Sequence, residues 1–214
     1  MTIDIQNLLD SILDSLSRIK YIRPETMPDI QLYMDQITSF MEDQLGPSKR
    51  YKSDKVLTKA MVNNYVKNDL LPPPEKKKYS KDHLLTLIFI YYFKSVLSIQ
   101  DIRSILNPVT ETYWSDNSPS LEEIYSLVFS LEEPEVERMK ESIREEFTIS
   151  QEAVSTMEHL DAKDADFLQK FVFICLLNFD VYVKKLLMEK IIDSMQEPDP
   201  KNKKKKTDSK KTDS

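Results

Sequence analysis

The sequence predicts an all-α protein, and three observations carry that prediction. There is a single glycine, Gly46, whereas tight β-hairpins and Greek keys draw on glycine for turns with positive φ. Long stretches are rich in Leu, Ile, Lys, Glu and Met, which favour helices. Apolar residues recur at helical spacing through most of the chain.

Residues 4–20 read as an amphipathic helix, with Ile5, Leu8, Leu9, Ile12, Leu16 and Ile19 on one side. Arg23-Pro24 interrupts the pattern, and Pro28 is placed to open a second helix from its first turn. That helix carries Ile30, Tyr33, Met34, Ile37, Phe40, Met41 and Leu45 in one stripe and stops at Gly46-Pro47, where a lone glycine serves as a C-cap. A basic loop follows, Lys49 to Lys55. Thr58 caps a short helix reaching about Asn68. Pro72-Pro73-Pro74 cannot continue a helix, and Glu75 to Lys78 reads as a brief extended segment.

Ser80 caps the next helix, with Asp82 in its first turn. Its Leu84 to Phe93 portion is apolar on all sides and is expected to be central and buried, which makes Tyr91, Tyr92 and Phe93 core residues rather than a stacking platform for bases. Ser98 starts a further helix, with Asp101 in a capping-box position, and Asn107-Pro108 ends it. A polar linker over 110–120 contains Trp114. Three helices are expected beyond it, at about 121–131, 134–148 and 162–195. In the last, apolar residues wrap right round between Phe171 and Leu177, which predicts burial against several helices rather than a two-stranded seam. The expected organisation is an N-terminal helix (1–22), a helix-turn-helix unit (28–107), a C-terminal helical region for dimerisation or sensing (120–196) and a disordered Lys-rich tail (197–214).

Scarce glycine excludes phosphate-cradling loops, dinucleotide turns and nucleophile elbows. His83 and His159 are the only histidines. His83 reads as exposed or locally satisfied beside a cap, and His159 as a helix end. Neither has the Glu-x-x-His spacing of a di-metal bundle. Adjacent Glu132 and Glu133 point to different sides of a helix. No enzyme, metal or cofactor is expected. Cys175 is the only cysteine, in apolar surroundings that favour an inert thiol in a reducing compartment. Met1 leads into Asp4 without a basic n-region or apolar signal core. The longest apolar run is half a membrane span. A cytoplasmic location without membrane contact is the expectation.

Net charge is −6 but segregated: Lys49 to Lys81 holds ten basic and three acidic residues, and Glu111 to Asp166 holds sixteen acidic and four basic. Within the basic part, helical projection from Lys59 places Lys59, Ala60, Asn63, Asn64 and Lys67 on one arc and Met61, Val62, Tyr65 and Val66 on another. An arc of Lys, Asn and Ala suits a DNA major groove: lysine neutralises phosphate or donates to guanine, and asparagine pairs with an adenine edge. Lys76, Lys77 and Lys78 on one side, and Lys49, Arg50 and Lys52 on the other, are placed to clamp the backbone. The same arc also fits a solvated helix face.

The stretch from Leu57 to Pro72 resembles the recognition region of MerR-type winged helix-turn-helix regulators, in which a helix ending in an aromatic precedes a Gly-Leu-Leu-x-Pro turn. Lys76-Lys77-Lys78-Tyr79, then Ser80 to Leu84, takes the place of the family's wing end and capped helix, and Val96 to Ile102 loosely matches its Gly-Phe-Ser-Leu-x-x-Ile signature. The chain is still more similar to an uncharacterised domain-of-unknown-function family of Gram-positive bacteria. That family shares the Tyr33-Met-Asp-Gln36 helix, the Leu-Leu-Pro-Pro-Pro turn and the Lys-Lys-Tyr-Ser-Lys run, and is described as MerR-like. The resemblance covers about 80 residues. It implies a transcriptional regulator that binds double-stranded DNA, with Tyr65, Lys77 and Tyr79 at positions that contact the DNA backbone. Asp69 stands where the family has its turn glycine, Asn63 where arginine is frequent and Glu75 near a common wing arginine, so no base preference carries over. A homodimer is expected because one short helix reads too few base pairs. Operator, effector and direction of regulation are not readable. The alternative is a helical interaction adaptor that keeps the helix-turn-helix shape without binding DNA.

Overall fold

The computed structural model describes residues 5–16, 21–115 and 118–195. Among them the chain forms eight α-helices and one two-stranded antiparallel sheet, so the fold is all-α. The order is α1 (Ile5–Leu16), β1 (Leu32–Tyr33), α2 (Met34–Leu45), α3 (Lys59–Lys67), β2 (Lys78–Tyr79), α4 (Lys81–Phe93), α5 (Ile99–Tyr113), α6 (Leu121–Ser130), α7 (Glu132–Ser155) and α8 (Ala162–Met195). No helix of the described residues is long and apolar enough to cross a membrane. The predicted disordered tail, and the helical reading of 17–20, lie outside the described residues.

Helix α4 is the axis of the core, with His83 to Ile90 all buried. Ile37 and Met41 of α2, Val62 and Tyr65 of α3, Ile102 and Leu106 of α5 and Leu121 and Tyr125 of α6 pack in the same cluster. Tyr125 sits within an aromatic group, its ring centroid 4.3 Å from Phe129 and 5.5 Å from Phe89. Its hydroxyl donates to the Ile22 carbonyl at 2.8 Å, so the buried phenol is satisfied and α6 is tied to the start of the core. A second, smaller cluster joins Leu9 and Leu13 of α1 to Phe147 of α7, with Ile143 and Phe173 packed against it.

Several local expectations are corrected. Leu13, not Ile12, is the buried α1 residue beside Leu9; Ile12 is exposed. Helix α2 begins at Met34 instead of Pro28, because Leu32 and Tyr33 pair with Tyr79 and Lys78. Gln36 then caps the first turn, its Oε1 accepting from Tyr33 N at 2.8 Å. Gly46 is not a left-handed cap: its φ is −56° and it opens a 3-10 turn with Pro47. Helix α5 does not stop at Asn107-Pro108. It runs through Pro108 to Tyr113, since Ile102, Leu106 and Thr110 lie four residues apart on one buried face. Core burial there outweighs the hydrogen bond that proline removes. The end expected for the helix-turn-helix unit, residue 107, therefore falls inside α5.

Helix α7 is longer than predicted at both ends and joins α6 through Leu131 alone. Its buried stripe of Lys140, Phe147, Ser150 and Val154, with half-buried Val136 and Ile143 between, steps by four and three. That is the spacing of a packed helical pair, and α8 lies along it. His159 follows α7 in an exposed loop at φ 72° instead of ending a helix. The largest departure is α8, whose apolar residues were expected to be buried by several helices. Phe171 is 55% exposed and Ile174 62%, and Ile192 is the one α8 residue classed as buried.

Candidate nucleic-acid interface

Helix α3 forms as its sequence dictates. Thr58 Oγ1 accepts from Met61 N at 3.2 Å, satisfying one of the free donors of the first turn. Val62 and Tyr65 fall four and seven positions after the cap and enter the core. Lys59, Ala60, Asn63, Asn64 and Lys67 are exposed together on the other side. At the C-terminus, Leu70 N–H reaches Tyr65 O at 2.8 Å and Asp69 N–H reaches Val66 O at 3.2 Å. These are the two bonds of a Schellman motif. Its left-handed position is Asp69, at φ 55°, so aspartate supplies the conformation the missing glycine would have given, as Asp and Asn do more readily than other side chains.

Two neighbours modify the exposed arc. Lys59 Nζ forms an ion pair with Asp35 in the first turn of α2. The arc has no carboxylate of its own, but the fold brings one to it, which the linear sequence did not reveal. Asn68 Nδ2 donates to Asn64 Oδ1 at 2.9 Å and to Asn64 O at 2.8 Å. These bonds hold the Asn64 amide by its oxygen, and Asn68 is a positioning residue that sequence reasoning missed. The signal was the i,i+4 spacing of two asparagines.

The basic segment after α3 is a tight hairpin instead of an extended strand. Lys78 N–H donates to Glu75 O at 2.8 Å, and Lys76 and Lys77 between them have φ of 49° and 65°. Positive φ at both central residues is the requirement of a type I′ turn, usually met by Asn-Gly. Both lysines are exposed at the tip. Lys78 is anchored at the base: its Nζ lies 5.7 Å from the Tyr33 ring centroid, across the β1–β2 pair. The segment 33–35 thus meets Lys78 through Tyr33 and Lys59 through Asp35, next to both the hairpin base and the start of α3.

Tyr65 and Tyr79, expected to touch DNA, are 5% and 3% exposed. Burial pushes both phenols to higher pKa. They are brought into the core, while the other seven stay at or near the surface. Tyr79 stands against His83, ring centroids 5.2 Å apart, and Trp114 closes the other side at 4.7 Å. His83 is therefore buried, not exposed, although its Nδ1 is satisfied locally by Ser80 N–H at 2.9 Å. Its Nε2 faces the Pro72 and Pro73 carbonyls without a well-aligned hydrogen bond. Burial lowers its pKa from 6.5 to about 4. Trp114 thus gains the role its linker position left unexplained. It locks the base of the hairpin to the end of α5.

The connector from Gly46 to Thr58 exceeds the roughly 3–4 residues of a compact helix-turn-helix turn. Val56 and Leu57 bury its end, and Ser48 Oγ shares a 2.9 Å hydrogen bond with Tyr91 OH. Lys49, expected as a backbone clamp, is mostly buried and bound to Glu42; that hydrogen bond holds the Glu42 carboxyl below its usual pKa. Arg50 and Lys52 remain exposed. Among the described residues, no group of three or more His, Cys, Asp or Glu side chains is arranged to hold a metal ion.

A family model, a domain of unknown function (DUF1836), matches residues 22–128. The chain belongs to this family. Neither a curated protein nor a solved structure matches the chain. The DUF1836 segment holds all buried residues of the main core except Ile192: it starts at Ile22, whose carbonyl receives the Tyr125 hydroxyl, and ends within α6. It includes α3, the lysine hairpin and Trp114, and leaves out all of α7 and α8.

Proposed function

We propose that the DUF1836 segment is a double-stranded DNA-binding module of the MerR-like winged helix-turn-helix kind, and that the chain is a transcriptional regulator. In this reading α3 enters the major groove and the Lys76-Lys77 hairpin is the wing. The observation that carries it is the exposed arc of Lys59, Asn63, Asn64 and Lys67, without a carboxylate from α3 itself, together with the exposed Lys76-Lys77 tip of a hairpin whose base and the start of α3 both meet the segment 33–35. Lysines at the hairpin tip neutralise phosphates and set position, and the asparagines read base edges. Asn64, whose Oδ1 is taken by Asn68, contributes its NH2 donors, which suit acceptor atoms of the groove floor. The Lys59–Asp35 pair is exposed on both sides, so it costs little to exchange Asp35 for a phosphate.

Replacing Lys59 by Gln together with Asn63 by Ala tests the reading. Both side chains are exposed, so the melting temperature should hold within a degree or two while binding to a selected site is lost. Unchanged DNA affinity in that variant contradicts it. The alternative, an interaction adaptor, draws support from the apolar surface of α8. It would be preferred if the full chain bound no DNA at low salt.

A further inference from the structure

The side chain of Asn68 bridges two atoms of a single residue one turn back. Its Nδ2 donates to Asn64 O at 2.8 Å and to Asn64 Oδ1 at 2.9 Å, and its backbone N–H donates to the same Asn64 O at 3.0 Å. The chemistry of these atoms fixes both amides. A backbone carbonyl only accepts, so the Asn68 atom beside it is the nitrogen. That nitrogen only donates, so the Asn64 atom beside it is the oxygen. Among the described residues, Asn64 Nδ2 has no partner, and the Asn63 amide makes no hydrogen bond. The two adjacent asparagines of the arc therefore differ. One amide is engaged at its oxygen, and the other is open at both ends.

We infer, on the reading that α3 enters the major groove, that Asn68 sets the base preference of Asn64 and makes it guanine instead of adenine. Adenine presents the acceptor N7 beside the N6 donor group, and a bidentate asparagine meets them with its NH2 and its oxygen together. At Asn64 the oxygen already accepts from Asn68, so adenine N6–H has to share or displace that bond. Guanine presents N7 and O6, both acceptors. They ask only for N–H donors, which are what Asn64 has unspent. Thymine offers one acceptor beside a methyl group and cytosine a donor, so both match the NH2 group less well. Asn63, with its oxygen open, keeps the adenine pairing.

Asn68 is well placed to hold that oxygen. It occupies the C-cap of α3, and the chain just beyond it is fixed by the bonds from Asp69 N–H to Val66 O and from Leu70 N–H to Tyr65 O. Asn68 itself need touch no base. It is a positioning residue whose effect appears in the base that Asn64 selects. A purely structural role for the pair has a different signature: its loss would loosen the end of α3 and weaken binding to every sequence alike.

Binding-site selection from random duplexes, run on the full chain as wild type, Asn64→Ala and Asn68→Ala, tests the assignment. Asn64→Ala identifies the step that Asn64 reads, as the position whose preference it erases. Wild type should show guanine there. Asn68→Ala should move that one position towards adenine, by roughly tenfold in relative affinity, with the rest of the motif unchanged. Both residues are exposed, so melting temperatures should stay close to that of wild type. Adenine at that step in wild type, guanine retained in Asn68→Ala, or no position erased by Asn64→Ala would overturn the assignment and leave the DNA reading standing. A uniform loss of affinity in Asn68→Ala would overturn it too, in favour of the structural role. No enriched motif from wild type would overturn both.

Discussion

Replacing Lys76-Lys77 by Asn-Gly should make the protein more stable and a poorer DNA binder at once. The two lysines hold φ of 49° and 65°, and left-handed backbone costs a residue with a Cβ roughly 1–2 kcal/mol. Asn-Gly is the preferred pair for this turn. The Lys78 N–H to Glu75 O bond that closes it is backbone only and is kept. Relief at both positions, offset in part by glycine's greater unfolded-state entropy, amounts to about 1–2 kcal/mol. For a chain of this size that is roughly a 2–8 °C rise in melting temperature. The same change removes two exposed cations, so the slope of log K against log salt should fall by about 2 per subunit. Thermal unfolding and fluorescence anisotropy titrations at several salt concentrations read the two effects separately. A lower melting temperature would refute the strained-turn geometry, and an unchanged salt slope would refute the wing.

His83 gives a pH dependence. Its folded pKa of about 4 lies below the unfolded 6.5, so the unfolded chain binds the proton more readily, and stability is lost as pH falls from about 6.5 to 4. The loss is on the order of 3 kcal/mol; urea titrations at pH 7 and 4.5 should show a smaller difference for His83→Asn than for wild type, and equal differences would count against the buried neutral imidazole. Tyr125→Phe leaves the Ile22 carbonyl without its 2.8 Å donor and should cost about 1–2 kcal/mol with little change in urea m-value; a neutral result would mean that α6 is not tied to the start of the core. Pro108→Ala restores a helix hydrogen bond inside α5 and should raise stability by up to ~3 kcal/mol in chemical denaturation; a loss would show that the proline bend is needed for packing.

What was legible in the sequence is what short-range chemistry decides. Thr58 as a cap, the two arcs of α3 and the bounds of α8 follow from spacing within a few residues. The misreadings arise where distant residues intervene. Nothing near Pro28 announces that Leu32 and Tyr33 will pair with Tyr79 and Lys78, and that pairing moves the start of α2. Pro108 is a stop signal by propensity, yet the buried face of α5 carries the helix past it. His83 looked like an exposed neighbour of a cap because Trp114, which covers it, lies far along the chain. Within the site, the exposed lysines and asparagines were readable as one arc, but the Asp35 partner of Lys59 and the left-handed turn at Lys76-Lys77 depend on β1 and β2 coming together. For α8, periodicity identified an apolar helix correctly and its covering wrongly, because helical spacing marks apolar positions without saying how many neighbours the fold brings to them.

The central claim, that α3 and the lysine hairpin form a DNA-reading surface, is tested most directly by selecting binding sites from random duplexes with the purified full chain at near-physiological salt. The account predicts an enriched motif, arranged as two inverted half-sites, that Lys59→Gln with Asn63→Ala no longer recovers. Recovery of no enriched sequence from a well-folded preparation would contradict it.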